Sequence, residues 1–371
     1  MPLPGPDVWR VMAELPDDVD AGSDSPSASI SDAAAIDLSQ SFLKERAGDN
    51  TTQVTDPSWV SVFRFHRRLG STYRRGRILL AGDAAHIHSP FGGQGMNTGL
   101  GDAHNLGWKL ALVTRGRAAE RLLDTYEAER RPVAAEVLKN TTTNTNLLLG
   151  NSVWTRLIRD YLFLPAMRLP AVQRKFQGKA SQLKVNYRGG PLAFRPGPLS
   201  RLASVAHSVP RAGDRAPDAP CLAQPAGEPT TLGAQSSKGW ALLLFGGGCK
   251  DLSACAAAAR SRLGNDVRII RILGQSQIMA RDDTQCADIV PADTVLRDHC
   301  GAIVRQYRPG DTEIVLLRPD GHLAWRGRPE APELGRWLSM ALDERRASCG
   351  DRILPVGGEP AFSSPIAVRA G

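Results

Sequence analysis

No apolar run in this 371-residue chain reaches the ~20 residues that a membrane-spanning helix needs. The N-terminus, MPLPGPDVW, has neither a basic start nor an apolar stretch, so no signal peptide is expected. Both absences favour a cytoplasmic protein with no membrane partner. Hydrophobic residues make up 42% of the chain and charged residues 23%, which is typical of globular proteins, and the length allows two or three domains.

Dense basic clusters are also lacking, although the formal net charge is +8. The arginines are dispersed, with only short runs such as Arg67-Arg68 and Arg74-Arg75, and no aromatic-rich basic module accompanies them. We therefore expect no nucleic-acid partner. A basic enzyme that handles phosphate-bearing cofactors and acidic substrates fits this charge better.

CxxC pairs, metal-ligand spacings and the phosphate-binding pattern GxxxxGK[ST] are absent. The six cysteines all lie after residue 220: Cys221, Cys249, Cys255, Cys286, Cys300 and Cys349. Free thiols in a reducing compartment are the default for such a set. No metal site, nucleophile or catalytic residue is indicated.

The most informative stretch runs from Arg77 to Lys109 and reads RILLAGDAAHIHSPFGGQGMNTGLGDAHNLGWK. Its short apolar run, Ile78 to Ala81, has the length of a buried strand and ends at Gly82-Asp83. A glycine-rich loop follows, and then a helical pattern whose apolar residues share one face: Met96, Leu100, Ala103, Leu106, Leu110 and Ala111. The predicted unit is therefore strand, acid, glycine-rich loop and helix.

Each part of this unit has a chemical interpretation. An aspartate at the end of a strand accepts hydrogen bonds from ligand hydroxyls, as Asp83 would. Glycines let the backbone approach a flat ligand, and the free N–H groups at a helix start favour a negative ligand atom. A sugar-like chain at Asp83 and an anionic ring edge at Gly95 to Asn97 would satisfy all three features. The alternative is an ordinary strand–turn–helix whose glycines only form the turn.

The stretch GRILLAGDAAHIHSPFGGQGMNTGLGDAHNLGWKLAL resembles the second flavin motif of the class A FAD-dependent aromatic hydroxylases, the phenol hydroxylase and p-hydroxybenzoate hydroxylase group. The later stretch LLDTYEAERRPVA is also similar to that family. The resemblance implies that Asp83 binds the ribityl hydroxyls of FAD and that the loop lines the pyrimidine edge of the isoalloxazine. The implied FAD-contact residues are Asp83, Pro90, Gly92, Gly93, Gln94, Gly95, Met96 and Asn97.

The same resemblance implies a monooxygenase that uses FAD, NAD(P)H and O2 to hydroxylate a small aromatic or polyketide-like substrate. Within the motif, His86 and His88 alternate on an extended segment and would point the same way, as two metal ligands do. Since no third ligand lies nearby, polar packing around the flavin loop is favoured. A solvated or ion-paired helix face is expected from Glu127, Glu129, Arg130 and Arg131.

A second domain is predicted from about Arg211, after a Pro- and Gly-rich linker. Its pattern is strand, helix, strand, hairpin and helix, with the hairpin turn at Pro319-Asp320-Gly321. This order is similar to a thioredoxin-like fold, and IVLLRPDGHLAWRG resembles the C-terminal domain of the phenol hydroxylase group. Cys249 follows a glycine run near the place where thiol chemistry would occur in such a fold, but it has no CxxC partner.

The predicted fold class is α/β with α+β character, a partial FAD-binding and substrate-binding hydroxylase fold followed by a thioredoxin-like domain. We divide the chain into five parts: a partial substrate-binding sheet (1–75), the flavin motif with the C-terminal helices of the flavin domain (76–186), a linker (187–210), the thioredoxin-like domain (211–345) and a tail (346–371).

The N-terminal GxGxxG unit that binds the ADP half of FAD in this family is not found. The nearest pattern, Gly99 to His104, has histidine in place of the third glycine. We therefore expect a truncated hydroxylase or a split gene product that folds poorly in its first part or binds FAD weakly, with a homodimer or a separate chain supplying the missing unit. The alternatives are a non-catalytic remnant or interaction module built on the last domain, and a thiol peroxidase-like enzyme that uses Cys249 or Cys221.

Overall fold

The computed structural model describes residues 8–11, 31–60, 66–88, 93–149, 152–194, 209–247, 249–274 and 291–342. Pro90, Gly92, the side chain of Cys249, the tail 346–371 and most of the predicted linker lie outside these described residues. None of the helices in the described ranges is long and apolar enough to cross a membrane.

Up to residue 88, the described ranges hold one α-helix and four very short strands. Helix α1 spans Asp32–Phe42, and the Ser31 hydroxyl caps it by accepting a hydrogen bond from the backbone N–H of Ala34. The strands are β1 (Arg68–Leu69), β2 (Arg74–Arg75), β3 (Ile78–Leu79) and β4 (His86–Ile87). Strand β1 pairs antiparallel with β4, and β2 pairs antiparallel with β3.

The predicted buried strand from Ile78 to Ala81 is wrong in length, and its burial prediction is wrong at Ile78, whereas Leu79 to Ala81 pack partly buried against an apolar cluster. Only Ile78 and Leu79 pair, and the side chain of Ile78 is 69% exposed. The partner strand β2 consists of two arginines in a tight hairpin, so the described residues offer no apolar layer to cover Ile78. An apolar run shows that a segment favours burial, but burial also needs a neighbouring surface.

The predicted helix after the glycine-rich loop is confirmed as α2 (Gly95–Thr114), but its buried face matches the predicted one only in part, at Leu106 and less fully at Leu110 and Ala111. Met96 is 74% exposed and Leu100 is 61% exposed. The helix instead buries a mostly polar set: Thr98, Asp102, Asn105, Leu106, Trp108, Lys109 and Leu112. The reason is that charged groups from distant parts of the chain meet this face.

Helix α3 (Asp124–Leu149) packs against α2 and contains Pro132. This proline does not end the helix, although its position predicts a break or a kink. Three shorter helices follow: α4 (Val153–Leu157), α5 (Leu164–Ala166) and α6 (Pro170–Ala180).

The remaining strands of the described chain form one sheet in the order β11-β10-β7-β8-β9-β5-β6. They are β5 (Pro220–Gln224), β6 (Glu228–Thr231), β7 (Trp240–Gly246), β8 (Val267–Leu273), β9 (Thr294–Arg297), β10 (Thr312–Leu317) and β11 (Leu323–Gly327). Strands β7, β8 and β9 run parallel, while β10 and β11 form an antiparallel hairpin beside β7.

In the described parts of this region, four α-helices accompany the sheet: α7 (Leu232–Ser236), α8 (Cys249–Leu263), α9 (Ala302–Tyr307) and α10 (Ala331–Leu342). The predicted order of strand, helix, strand, hairpin and helix is therefore present. The thioredoxin-like assignment itself stays a prediction.

The apolar core on one face of the sheet is shared with the first part of the chain. Leu242 and Leu244 of β7 face α8 and α10, and Trp108 and Leu112 of α2 belong to the same cluster. The rings of Trp108 and Trp240 meet edge to face, with 5.3 Å between their centroids. Helix α2 thus packs directly against the sheet. The predicted domain boundaries stay a prediction, but the two parts are not separate in the described chain.

Candidate flavin-binding site

The structure brings the turn that carries Asp83 against helix α2. Asp83 lies in a short 3₁₀ turn, Gly82–Ala84, and its side chain is exposed. A Cβ atom on Gly99 would lie 3.4 Å from the Cα of Gly82, so the turn and the helix approach closely. Gly82 also has a positive φ of 58°, which other residues adopt rarely. Two glycines outside the predicted set therefore hold the acid beside the helix.

Among the described residues, the start of α2 is uncapped and has no acidic side chain in its first turn. Gln94 precedes the helix without a side-chain cap, and the first turn holds no acidic residue. A Cβ on Gly95 would meet its nearest atom, Cδ2 of His88, only at 4.0 Å, and a Cβ on Gly93 would meet nothing within 4 Å. Because the first N–H groups of a helix have no partner within the helix, this end offers donors to a flat, electron-rich ligand.

The other predicted contact residues occupy the same end of α2. Gly93 and Met96 are exposed, Asn97 is half-buried and Gln94 is buried. The backbone oxygen of Gln94 accepts a hydrogen bond of 3.2 Å from Nε2 of Gln182, which anchors the residue before the helix. The described positions of the predicted set thus lie at the start of α2, and the Asp83 turn approaches the same helix at Gly99.

The buried carboxylate of Asp102 connects the Asp83 turn with the two helices beside it. Its carboxylate accepts hydrogen bonds from the backbone N–H of Gly82 (3.1 Å) and from Nε of Arg130 (2.7 Å), and it pairs with Nε2 of His86 (2.7 Å). Arg130 also donates to the backbone oxygen of Thr98 (2.9 Å). Burial alone would raise the pKa of Asp102, but the bond to His86 and the charge of Arg130 outweigh it and lower the pKa. Asp102 therefore stays ionised and joins the Asp83 turn, α2 and α3.

A second group of buried charges, which we call the Glu129 cluster, lies further along α2. It consists of Asn105, Lys109, Glu129, Arg318 and Asp320. The Glu129 carboxylate accepts two bonds from Arg318, at 2.6 and 2.8 Å, and one from Lys109 Nζ at 2.8 Å. Of the two predicted alternatives for this helix face, solvated or ion-paired, Glu129 and Arg130 show the second: Glu129 pairs with Arg318, Arg130 pairs with Asp102, and both are buried.

The Glu129 cluster links α2 and α3 to the β10–β11 hairpin. Asp320, in the predicted turn, accepts hydrogen bonds of 3.2 Å from Trp108 Nε1 and from Asn105 Nδ2. Arg318 also lies over the rings of Trp108 and Tyr187, at 5.3 and 5.1 Å from their centroids. The turn between β10 and β11 therefore contacts α2, the helix that follows the glycine-rich loop.

The buried ion pairs of Glu129 predict that the folded protein loses stability in acid. Burial would raise the pKa of Glu129, but the charges of Arg318 and Lys109 outweigh it and lower the pKa from 4.5 to about 2. The ionised form is therefore favoured in the folded state, so its contribution is complete above pH 4.5 and disappears as the pH falls toward 2. Urea denaturation across this range should show a decrease on the order of 3 kcal/mol from this group. A Glu129→Gln variant that keeps the same decrease would contradict the assignment.

Sequence reasoning missed Asp102 and the extent of the Glu129 cluster. The available signal was a polar stripe, since Thr98, Asp102, Asn105 and Lys109 recur at intervals of three or four residues along one helix face. A stripe of this kind usually faces solvent. Only the presence of Glu129, Arg130 and Arg318 on the opposite side makes it a buried face.

The histidine pair has no support as a metal centre. The rings of His86 and His88 lie 4.7 Å apart, but no group of three or more potential ligands occurs among the residues that the structure describes. The thiol hypothesis is not supported at Cys221 either, because burial raises its pKa to about 11 and the thiol stays protonated. The same cause raises the pKa of Cys255 to about 12.

Comparison with known proteins adds independent findings. Residues 25–141 match the family model of the FAD binding domain, a range that includes the Asp83 turn and α2. The 6-methylpretetramide 4-monooxygenase of Streptomyces rimosus is 34% identical over 337 residues, which cover 88% of this chain and 54% of that enzyme. This chain is thus a homologue of monooxygenases.

Solved hydroxylase structures share the fold. The OxyS anhydrotetracycline hydroxylase from Streptomyces rimosus matches with a TM-score of 0.54 and 30% identity, covering 82% of this chain and 52% of that one. Aklavinone-11 hydroxylase, solved with FAD and aklavinone, matches with a TM-score of 0.50 and 26% identity, covering 76% of this chain and 46% of that one. The chain spans about half the length of the relatives it matches.

Proposed function

We propose, from the match to the FAD binding domain and the homology to monooxygenases, that this chain binds FAD and takes part in hydroxylating an aromatic or polyketide substrate. NAD(P)H and O2 would serve as co-substrates. The observation that carries the proposal is the open, acid-free start of α2 beside the exposed Asp83. Bound FAD supplies the redox chemistry, while the residues described here bind and orient it.

The proposed contacts divide by chemistry. The Asp83 carboxylate accepts hydrogen bonds from the ribityl hydroxyls. The backbone of Gly93 to Asn97 faces the pyrimidine edge of the isoalloxazine, where N–H donors and the positive end of the helix dipole stabilise negative charge. Pro90 and Gly92, which lie outside the described residues, complete the proposed set of contacts. We propose no catalytic acid or base.

Three large apolar side chains near this site in the chain are largely exposed: Ile78, which precedes the Asp83 turn, and Met96 and Leu100, at the start of α2. We propose that a folded unit with a dinucleotide-binding pattern covers them, supplied by a separate chain, with a homodimer as the alternative. Sedimentation velocity of the purified chain distinguishes a dimer from a monomer.

An interaction module built on the last domain alone fits the structure less well. Its sheet shares an apolar core with α2, and Arg318 in its hairpin binds Glu129 of α3. The last domain therefore belongs to the same structural unit as the flavin motif.

The first test is a titration of the purified chain with FAD, followed by flavin fluorescence. We expect saturable binding that Asp83→Ala weakens about tenfold or more, because hydrogen bonds to a charged group contribute about 1.5–3 kcal/mol. Asp37→Ala, at an exposed position on α1, is the matched control and should bind FAD like the unmodified chain. Equal affinity in the Asp83 and Asp37 variants, or no binding by the unmodified chain, would overturn the proposal.

A further inference from the structure

His88 carries two buried ring nitrogens that have no hydrogen-bond partner among the described residues. Such groups are uncommon in folded proteins, because each has lost its contact with water without gaining another. A neutral imidazole has one N–H donor and one nitrogen acceptor, and neither has a hydrogen-bond partner among the described residues. Within the described residues, the donor and the acceptor of this ring are therefore both left for a further group.

The ring of His88 is held rigidly from one side. It packs against the ring of His86, with 4.7 Å between the centroids, and Nε2 of His86 is fixed by Asp102 at 2.7 Å. Burial and the neighbouring His86 lower the pKa of His88 to about 4, which leaves the ring uncharged at neutral pH; the charges of Asp83 and Asp102 act in the opposite direction. The structure therefore holds a neutral imidazole in a fixed place.

That place is the candidate flavin site. Cδ2 of His88 would be the nearest atom to a Cβ on Gly95, the first residue of α2. The charge of Asp83 is also close enough to influence the His88 ring. His88 thus lies with the two parts of the site, Asp83 and the helix start, although sequence reasoning assigned it only to polar packing.

We propose that His88 forms a hydrogen bond with the ligand of this site, at a ring edge that carries alternating C=O and N–H groups. The isoalloxazine of a flavin has such an edge, so this inference rests on the proposed function. A neutral imidazole suits that edge because it both donates and accepts. His86 and Asp102 act as positioning residues, since they orient the His88 ring without reaching the ligand themselves.

The test compares three variants of the full chain in FAD titrations. We expect His88→Leu to weaken FAD binding about fivefold to tenfold and to shift the visible spectrum of the bound flavin, because a buried hydrogen bond is lost. His88→Gln keeps a donor and an acceptor and should restore most of the affinity and the spectrum. His66→Leu, at an exposed histidine, should change neither.

Histidine-selective ¹⁵N spectra of the unmodified chain give the same test without a substitution. The ring-nitrogen signals of His88 are identified as those that disappear in His88→Gln, and FAD should shift them. Circular dichroism verifies that each variant is folded. If His88→Leu binds FAD with unchanged affinity and spectrum, the inference is wrong and water satisfies the ring, while the proposed function stands. If the unmodified chain binds no FAD, both fail together.

Discussion

Replacing Arg318 by alanine should lower the free energy of unfolding by about 3–5 kcal/mol. The guanidinium of Arg318 is fully buried and binds both Glu129 and Asp320. Its removal leaves two carboxylates inside the protein, with Lys109 as a remaining cation beside Glu129. Breaking one side of a buried ion pair is costly because the partner charge stays desolvated. Urea denaturation followed by tryptophan fluorescence measures the change.

The matched control for this substitution is Arg260→Ala. Arg260 also pairs with an aspartate, Asp293, but both side chains are partly exposed. Such pairs contribute about 0–1 kcal/mol, so this variant should stay close to the unmodified chain. Similar small losses in both variants would show that the Glu129 cluster contributes little to stability.

Arg318→Ala should also change the form of the transition. In the unmodified chain, α2 and α3 share a core and buried charges with the sheet, so both parts should unfold together. Without Arg318, the hairpin turn no longer binds α3, and the helical part should melt before the sheet. Circular dichroism and tryptophan fluorescence would then give different midpoints. Coincident midpoints in the variant would indicate that the apolar contact of Trp108 with Trp240 is sufficient.

Local patterns predicted the elements better than they predicted burial. The apolar run from Trp240 to Phe245, which favours a strand, gives the interior strand β7, and Pro319-Asp320-Gly321 gives the hairpin turn, because both signals are contained in a few neighbouring residues. The helical spacing after the glycine-rich loop likewise predicted α2. In each case the chain specifies the element without help from distant residues.

The face of α2 could not be predicted in the same way. Asp102 and Lys109 are buried because Arg130, Glu129 and Arg318 face them, and Arg318 lies more than 200 residues away in the chain. Nothing near α2 in sequence indicates that this partner exists. Met96 and Leu100 were predicted on the apolar face of α2 but are exposed, since the described chain provides no surface to cover them.

The burial of residues near 190 also depends on contacts with residues that are distant in the chain. Their Pro- and Gly-rich composition favours a linker, yet Tyr187 and Leu192 are buried. The hydroxyl of Tyr187 accepts a hydrogen bond of 3.1 Å from Arg130, and its ring stacks on His322 at 4.3 Å between centroids. Composition reports the flexibility of an isolated segment and not the contacts that the folded protein offers it.

The sequence predicted Asp83 as part of the candidate site, but it did not predict the residues that hold Asp83 in place. The acid and the glycines form a continuous motif, whereas the residues that orient them, Asp102 and Arg130, show no motif of their own. A helical aspartate and a helical arginine are usually exposed. Here they are the link between the turn and two helices, and that role is the basis of the last prediction.

Asp102→Asn should be the most damaging single change at the site. Asparagine has nearly the same shape, but it removes the charge that balances the buried guanidinium of Arg130. It also presents an NH2 group to a site where Gly82 N–H and Arg130 Nε–H both donate. We expect a loss of about 3–5 kcal/mol in stability together with the loss of FAD binding, because the Asp83 turn is released from α2. Parallel urea and FAD titrations measure both effects.

The comparison with Arg318→Ala separates the two roles of α2. Arg318 binds Glu129 of α3 and lies over the ring of Trp108 in the second half of α2, whereas Asp102 holds the Asp83 turn against the first half of α2. At temperatures where both variants are folded, Arg318→Ala should therefore retain most of its FAD affinity and Asp102→Asn should not. Asp124→Asn, which alters an exposed ion pair with Arg74, is the control for a lost carboxylate charge. If Asp102→Asn binds FAD as tightly as this control, the turn is held by Gly82 and Gly99 packing alone, and the buried carboxylate serves only to stabilise the fold.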